Sequence, residues 1–191
     1  VLALSARATR GLVELGPLRF PCALGTSGWR ARKREGDGAT PTGRWRIGAV
    51  RYRPDRASRP RTALPVRPLG PSDGWCDAPA DGNYNRLVRH PYPASAERLW
   101  RQDGLYDLLV ILAYNERPRV RGRGSAIFMH VAKPGLAPTE GCVALRRSDL
   151  VALIARLGRR AVLSIGPSSK KRPALAHRAF RSTYRGSGVL A

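Results

Sequence analysis

Two residues in this chain have the types and spacing for acyl-transfer chemistry. His130 is followed twelve positions later by Cys142, within Thr139-Glu140-Gly141-Cys142-Val143-Ala144-Leu145. Between them, Lys133 to Pro138 holds two prolines and a glycine, which predicts a loop able to carry the cysteine back beside the histidine. A free thiol, with a pKa near ~8.5, is mostly protonated at neutral pH. An adjacent imidazole can take its proton and hold a thiolate–imidazolium pair. The thiolate then attacks a carbonyl, and the oxyanion that forms needs backbone N–H donors. Gly141 leaves room for close approach, so the amides of Gly141 and Cys142 are the expected donors. The imidazolium finally protonates the leaving amine. Spacing alone favours a plainer reading, in which Cys142 is a small buried hydrophobe and His130 a satisfied core residue.

The elements that must position this pair are strands. Leu12–Leu15 and Leu18–Leu24 read as two short strands split by Gly16-Pro17. Residues 26 to 43 read as a long loop ending in the turn Thr40-Pro41-Thr42-Gly43. Arg44 to Tyr52 alternates, with Trp45, Ile47 and Ala49 on one face. Tyr106 to Tyr114 and Ser125 to Val131 are the strongest strands, and Ala161 to Ile165 is the last. Ala94 to Arg101 is expected as a short helix. A second helix is expected to run to Leu157, N-capped by Ser148 and closed by Gly158.

Residues 54 to 93 form a proline-rich insertion, expected to be ordered and held down by Trp75, Tyr84 and Tyr92. Its polar run Asp81 to Arg86 has two readings. It is a lid whose Tyr84, Asn85 and Arg86 contact substrate, or a simple turn. Residues 167 to 191 are basic and weakly periodic, and read as a flexible tail.

At 191 residues the chain suits one domain with a tail. A hydrophobic fraction of 42% argues against general disorder, and no apolar run is long enough for a membrane helix. Residues 1 to 8 lack a full signal-peptide pattern. The formal charge is +22, from 35 basic and 13 acidic residues, and only four of the basic ones are lysine. Such a surface attracts polyanions, among them nucleic acid and anionic envelope polymers. Arg30–Arg34, Arg117–Arg123 and Lys170–Arg172, with Trp29, Trp45 and Tyr52 interleaved, keep a nucleic-acid-binding protein open as a rival. No recognised nucleic-acid motif accompanies them, which makes that partner the disfavoured one. Cys22, Cys76 and Cys142 are an odd set, and a Cys22–Cys76 disulfide in an oxidising compartment is one expectation. His90 and His177 have no ligand-spaced neighbours and there is no nucleotide loop, so neither a metal nor another cofactor is expected.

The histidine strand, the loop and the Gly-Cys turn together resemble the signature of the L,D-transpeptidase catalytic domain (YkuD-type) family. A second family feature lies upstream in the right order: Leu24-Gly25, then Thr40-Pro41-Thr42-Gly43 before the strand Arg44-Trp45-Arg46-Ile47. The resemblance covers roughly residues 10 to 166. It implies a mainly β fold, a sandwich of mixed sheets with a short helix after the cysteine turn. It also implies Cys142 as nucleophile, His130 as base, and Thr139 and Glu140 beside the substrate. The implied reaction is acyl transfer on peptidoglycan stem peptides through a thioester. A second stem's amine resolves it in a transpeptidase, water in a carboxypeptidase or endopeptidase. A periplasmic or envelope-facing monomer is expected through the family.

The chain departs from the family pattern in places. Glu140 stands where the family has histidine, and Val131 where it has glycine. Ala144 replaces an arginine whose charge Arg146 or Arg147 is expected to supply. These departures bear on the substrate more than on the nucleophile. A divergent branch of the family is similar in its lack of added wall-binding modules.

Overall fold

A computed structural model describes residues 1–3 and 5–167; all but the first residue of the expected tail lies outside them. The strands in chain order are β1 (Leu2–Ala3), β2 (Arg10–Leu15), β3 (Leu18–Ala23), β4 (Trp29–Arg30), β5 (Thr40–Pro41), β6 (Gly43–Tyr52) and β7 (Val66–Pro68). They continue with β8 (Asp73–Cys76), β9 (Leu87–Arg89), β10 (Ala96–Arg98), β11 (Leu108–Leu112), β12 (Phe128–Val131) and β13 (Val143–Leu145). Helix α1 (Arg147–Ile154) then leads to β14 (Val162–Pro167). The fold is mainly β, as expected.

Nine strands form one mixed sheet in the order β11-β12-β13-β3-β2-β1-β14-β6-β7. The sheet closes on itself through an antiparallel pairing of its edge strand β11 with β6, which leaves β7 outside the closure. Strands β2 and β3 meet through the Gly16-Pro17 turn, where Gly16 takes φ 57°. A two-residue hairpin needs that left-handed first position. The alternation expected along β6 breaks midway. Ile47 and Val50 are both buried, because a register shift against β11 changes which face points inward, and Ala49 leaves the core face.

The central strands are buried on both faces, which explains their continuous apolar runs. Leu108, Val110 and Leu112 of β11, Met129 of β12, and Val143 and Leu145 of β13 face the main core. Leu150, Leu153 and Ile154 of α1 join them there. Alternate residues of the same strands, Leu109 and Phe128, meet Leu69, Leu99 and Tyr106 in a second cluster that also contains Cys142.

Several expectations need correction. The loop-rich insertion carries three short strands: β7 pairs with β6, and β8 and β9 form a separate three-stranded sheet with β10, which follows the insertion. The helix expected at Ala94–Arg101 is strand β10, since pairing with β8 overrides the helix propensity of Ala-Glu-Arg. Helix α1 begins at Arg147 after Arg146, with no side-chain cap, so Ser148 lies inside it and Gly158 beyond it. The long loop 26–43 contains the short parallel pair β4–β5. Cys22, Cys76 and Cys142 are all free thiols, so no Cys22–Cys76 disulfide is present. Among the described residues, no helix is long and apolar enough to cross a membrane.

Candidate active site

His130 lies on β12 opposite Ala144 of the parallel strand β13, and Cys142 is the residue just before that strand. Side chains two apart on a strand share a face. His130, Ala144 and Cys142 therefore point to the outer side of the sheet, toward the insertion. All three line one cavity of about 410 Å³.

The turn that delivers Cys142 is tied to the two upstream motifs. The Thr139 N–H donates to Leu24 O at 2.9 Å, and the Thr26 N–H to Thr139 O at 2.8 Å. Between them the Gly25 N–H donates to Thr40 Oγ1 at 2.8 Å. A side chain at Gly25 would sit 2.2 Å from Gly38 O, so only glycine lets these strands close. Leu24-Gly25 and Thr40-Pro41 thus form the floor under the cysteine turn.

Within the turn, Thr139 Oγ1 donates to Cys142 O at 2.7 Å and accepts from the Gly141 N–H at 3.1 Å. The Gly141 amide, expected as an oxyanion donor, is therefore already engaged. Gly141 has φ 133°, and a Cβ there would lie 2.7 Å from Ala39 O and 3.2 Å from Lys33 Nζ. Lys33 is buried beneath this turn, and its ammonium donates to Asp37 Oδ1 at 2.7 Å.

The thiol and the imidazole are both neutral in this setting. Cys142 Sγ donates to Ala126 O at 3.2 Å and accepts from the Phe128 N–H at 3.3 Å. Burial, with Glu97 adding to it, pushes the thiol up to about 12, against the smaller opposing pull of the Phe128 amide and Lys33. Burial pulls His130 down to about 4. The expected thiolate–imidazolium pair is thus not the resting state. Val131 O lies 2.8 Å from His130 Nδ1, and a carbonyl can only accept. Nδ1 therefore carries the ring proton and Nε2 the lone pair, which is the tautomer a proton acceptor needs.

Three further cavity residues went unseen in the sequence. The Tyr106 ring meets His130 edge-on at 5.3 Å, and its hydroxyl donates to Glu97 Oε1 at 2.6 Å. Burial raises the pKa of both Tyr106 and Glu97. Lys33 is the third, and its signal was rarity: it is one of four lysines among 35 basic residues. Glu97 had none, because its segment reads as helix.

Of the residues expected to contact substrate, Thr139 and Glu140 line the cavity, Thr139 buried and Glu140 exposed. Tyr84, Asn85 and Arg86 do not line it. The Tyr84 hydroxyl is buried, donating to Glu35 Oε2 and accepting from the Gly124 N–H at 2.9 Å. Asn85 is fully engaged: Oδ1 accepts from Trp75 Nε1 at 2.9 Å and the Ala126 N–H at 3.2 Å, while Nδ2 donates to Tyr114 O and Asn115 O. Arg86 is exposed and lines a different cavity. Tyr84 and Asn85 brace the Gly124–Ala126 segment instead of covering the cleft. Arg147 pairs with Asp107 at 2.7 Å, and neither it nor Arg146 reaches the Cys142 cavity.

A thiol, an imidazole with its Nε2 lone pair free and a shared cavity on a mixed β scaffold are what sulfur-mediated acyl transfer would require. The sequence profile of the L,D-transpeptidase catalytic domain (YkuD) matches residues 11–165. The chain belongs to that family. No individual curated protein and no solved structure shows significant similarity to it.

Proposed function

We propose that the protein is a peptidoglycan L,D-transpeptidase with Cys142 as nucleophile and His130 as general base. The observation that carries this reading is the projection of both side chains into one cavity from the adjacent strands of a family-matched domain. The resting thiol is protonated, so activation accompanies attack. The S–H turns from Ala126 O to the free Nε2 of His130 as sulfur bonds the carbonyl carbon of a stem peptide. The Phe128 N–H remains on sulfur and stabilises its growing negative charge. The oxyanion is met by the Cys142 N–H, with the Gly141 N–H shared with Thr139 Oγ1. The tetrahedral carbon collapses by breaking the C–N bond, and the imidazolium at His130 protonates the departing amine. The thioester left on Cys142 is resolved by the amine of a second stem.

The proposed place of work is the cell envelope, in keeping with the family. The positive surface suits polymers rich in carboxylate or phosphate. Muropeptide analysis after incubation with purified sacculi tests the assignment. New cross-links are expected with the intact protein and none with Cys142→Ala. Cleavage products without cross-links would instead indicate water as the acceptor.

A further inference from the structure

A second cavity, of about 590 Å³, adjoins the braced segment next to the nucleophile. Asn85 lines it and accepts from the N–H of Ala126, a residue that lines the Cys142 cavity. Its charged lining is Arg86, Arg117 and Arg119, with Glu116 alone opposing them. Among the described residues none of these three guanidinium groups forms an ion pair. The Nε of Arg119 is buried with no hydrogen-bond partner. Burying a donor without an acceptor is unfavourable, so a turn of the Arg119 side chain onto a ligand oxygen in the cavity it lines would be favoured.

The loop bearing Arg117 and Arg119 is held in place. Asn115 Nδ2 donates to Val120 O and Gly124 O, both at 2.9 Å, and its Oδ1 accepts from the Val120 N–H at 2.8 Å. Asn85 Nδ2 ties the base of the loop through Tyr114 O and Asn115 O. The backbone that carries the two arginines is thus held before any ligand arrives, which lowers the ordering cost of binding.

We propose that this cavity is a carboxylate-binding subsite for the peptide substrate, away from the bond that Cys142 attacks. This rests on the peptidoglycan reading above. Guanidinium forks match carboxylate oxygens in bidentate geometry. Trp75, Leu87 and Ile111 supply an apolar wall for the aliphatic stem that carries such a carboxylate. A densely phosphorylated polymer would gain nothing from that wall.

The test uses glutarate as probe on the whole chain labelled with 15N-arginine. A saturable shift of the Arg119 Nε–H signal is expected, lost in Arg117→Ala and kept in Arg59→Ala, which removes an exposed charge elsewhere. No saturable shift, or loss of the shift in Arg59→Ala, would overturn the subsite. Inorganic phosphate binding more than about tenfold tighter than glutarate would overturn the carboxylate assignment. In turnover, Arg117→Ala and Arg119→Gln should raise KM for a stem-peptide donor about tenfold, with kcat within about twofold of the parent. An unchanged KM in both variants counts against the proposal. If Cys142→Ala keeps full turnover, the peptidoglycan reading fails, while the glutarate titration still reports on the cavity.

Discussion

His130 stands opposite Ala144 on the neighbouring parallel strand, which places it one pleat repeat along from Cys142 on the same face of the sheet. Two residues twelve apart in sequence become diagonal neighbours because the loop between β12 and β13 returns the chain in parallel. Yet the thiol rests on Ala126 O and the imidazole on Val131 O, each neutral. The site rests with a protonated thiol and a neutral imidazole.

Cys142 should therefore behave as a high-pKa thiol. Its alkylation by iodoacetamide, followed by mass spectrometry, should climb steadily with pH toward about 12. A plateau starting near neutral pH would mean a preformed thiolate. Cys22, held up to about 12 by burial in the main core, is the internal comparison.

Glu97 lifts the Cys142 pKa through its negative charge. Glu97→Gln removes that charge and keeps the shape. Alkylation of Cys142 at about pH 9 should then accelerate, since a lower pKa leaves more thiolate. An unchanged rate would show that the carboxylate does not reach the sulfur.

The linkage of His130 to stability has a definite sign. Its pKa in the fold is about 4, below the ordinary ~6.5 of an unfolded chain. Between those values the unfolded state binds the extra proton. The contribution is full above ~6.5 and is lost as pH falls toward 4, by on the order of 3 kcal/mol. Urea midpoints across that window should show this slope, and His130→Gln should flatten it. Equal slopes in both proteins would contradict the burial-driven shift.

Gly141→Ala should destabilise by about 2–3 kcal/mol, because the new Cβ meets Ala39 O in a backbone region unfavourable to side chains. Turnover should fall as well, since the turn carries Cys142. Thermal denaturation alongside muropeptide turnover separates the two effects. A variant with parental stability would mean the turn relaxes freely.

Much of this site was readable from the chain because its signals are local. Thr40-Pro41-Thr42-Gly43 and the Gly141-Cys142 turn announce themselves by residue type, and β11 and β12 by their apolar runs. The rest depends on tertiary pairing. Ala96-Glu97-Arg98 carries helix propensity, but β8 captures it as a strand, and only that pairing brings Glu97 to the cavity. Tyr84 and Asn85 look like lid residues because they are polar. Their hydrogen bonds run to Glu35, Gly124, Trp75 and Ala126, contacts separated by up to 49 positions that no local pattern encodes.

The most direct test of the central claim is to trap the acyl-enzyme. The protein is incubated with a stem-peptide donor, quenched in acid, digested and mapped by mass spectrometry. A thioester adduct on the peptide containing Cys142, absent in Cys142→Ala, is the predicted result. Product formation with an adduct on Cys22 or Cys76, or undiminished in Cys142→Ala, would contradict it.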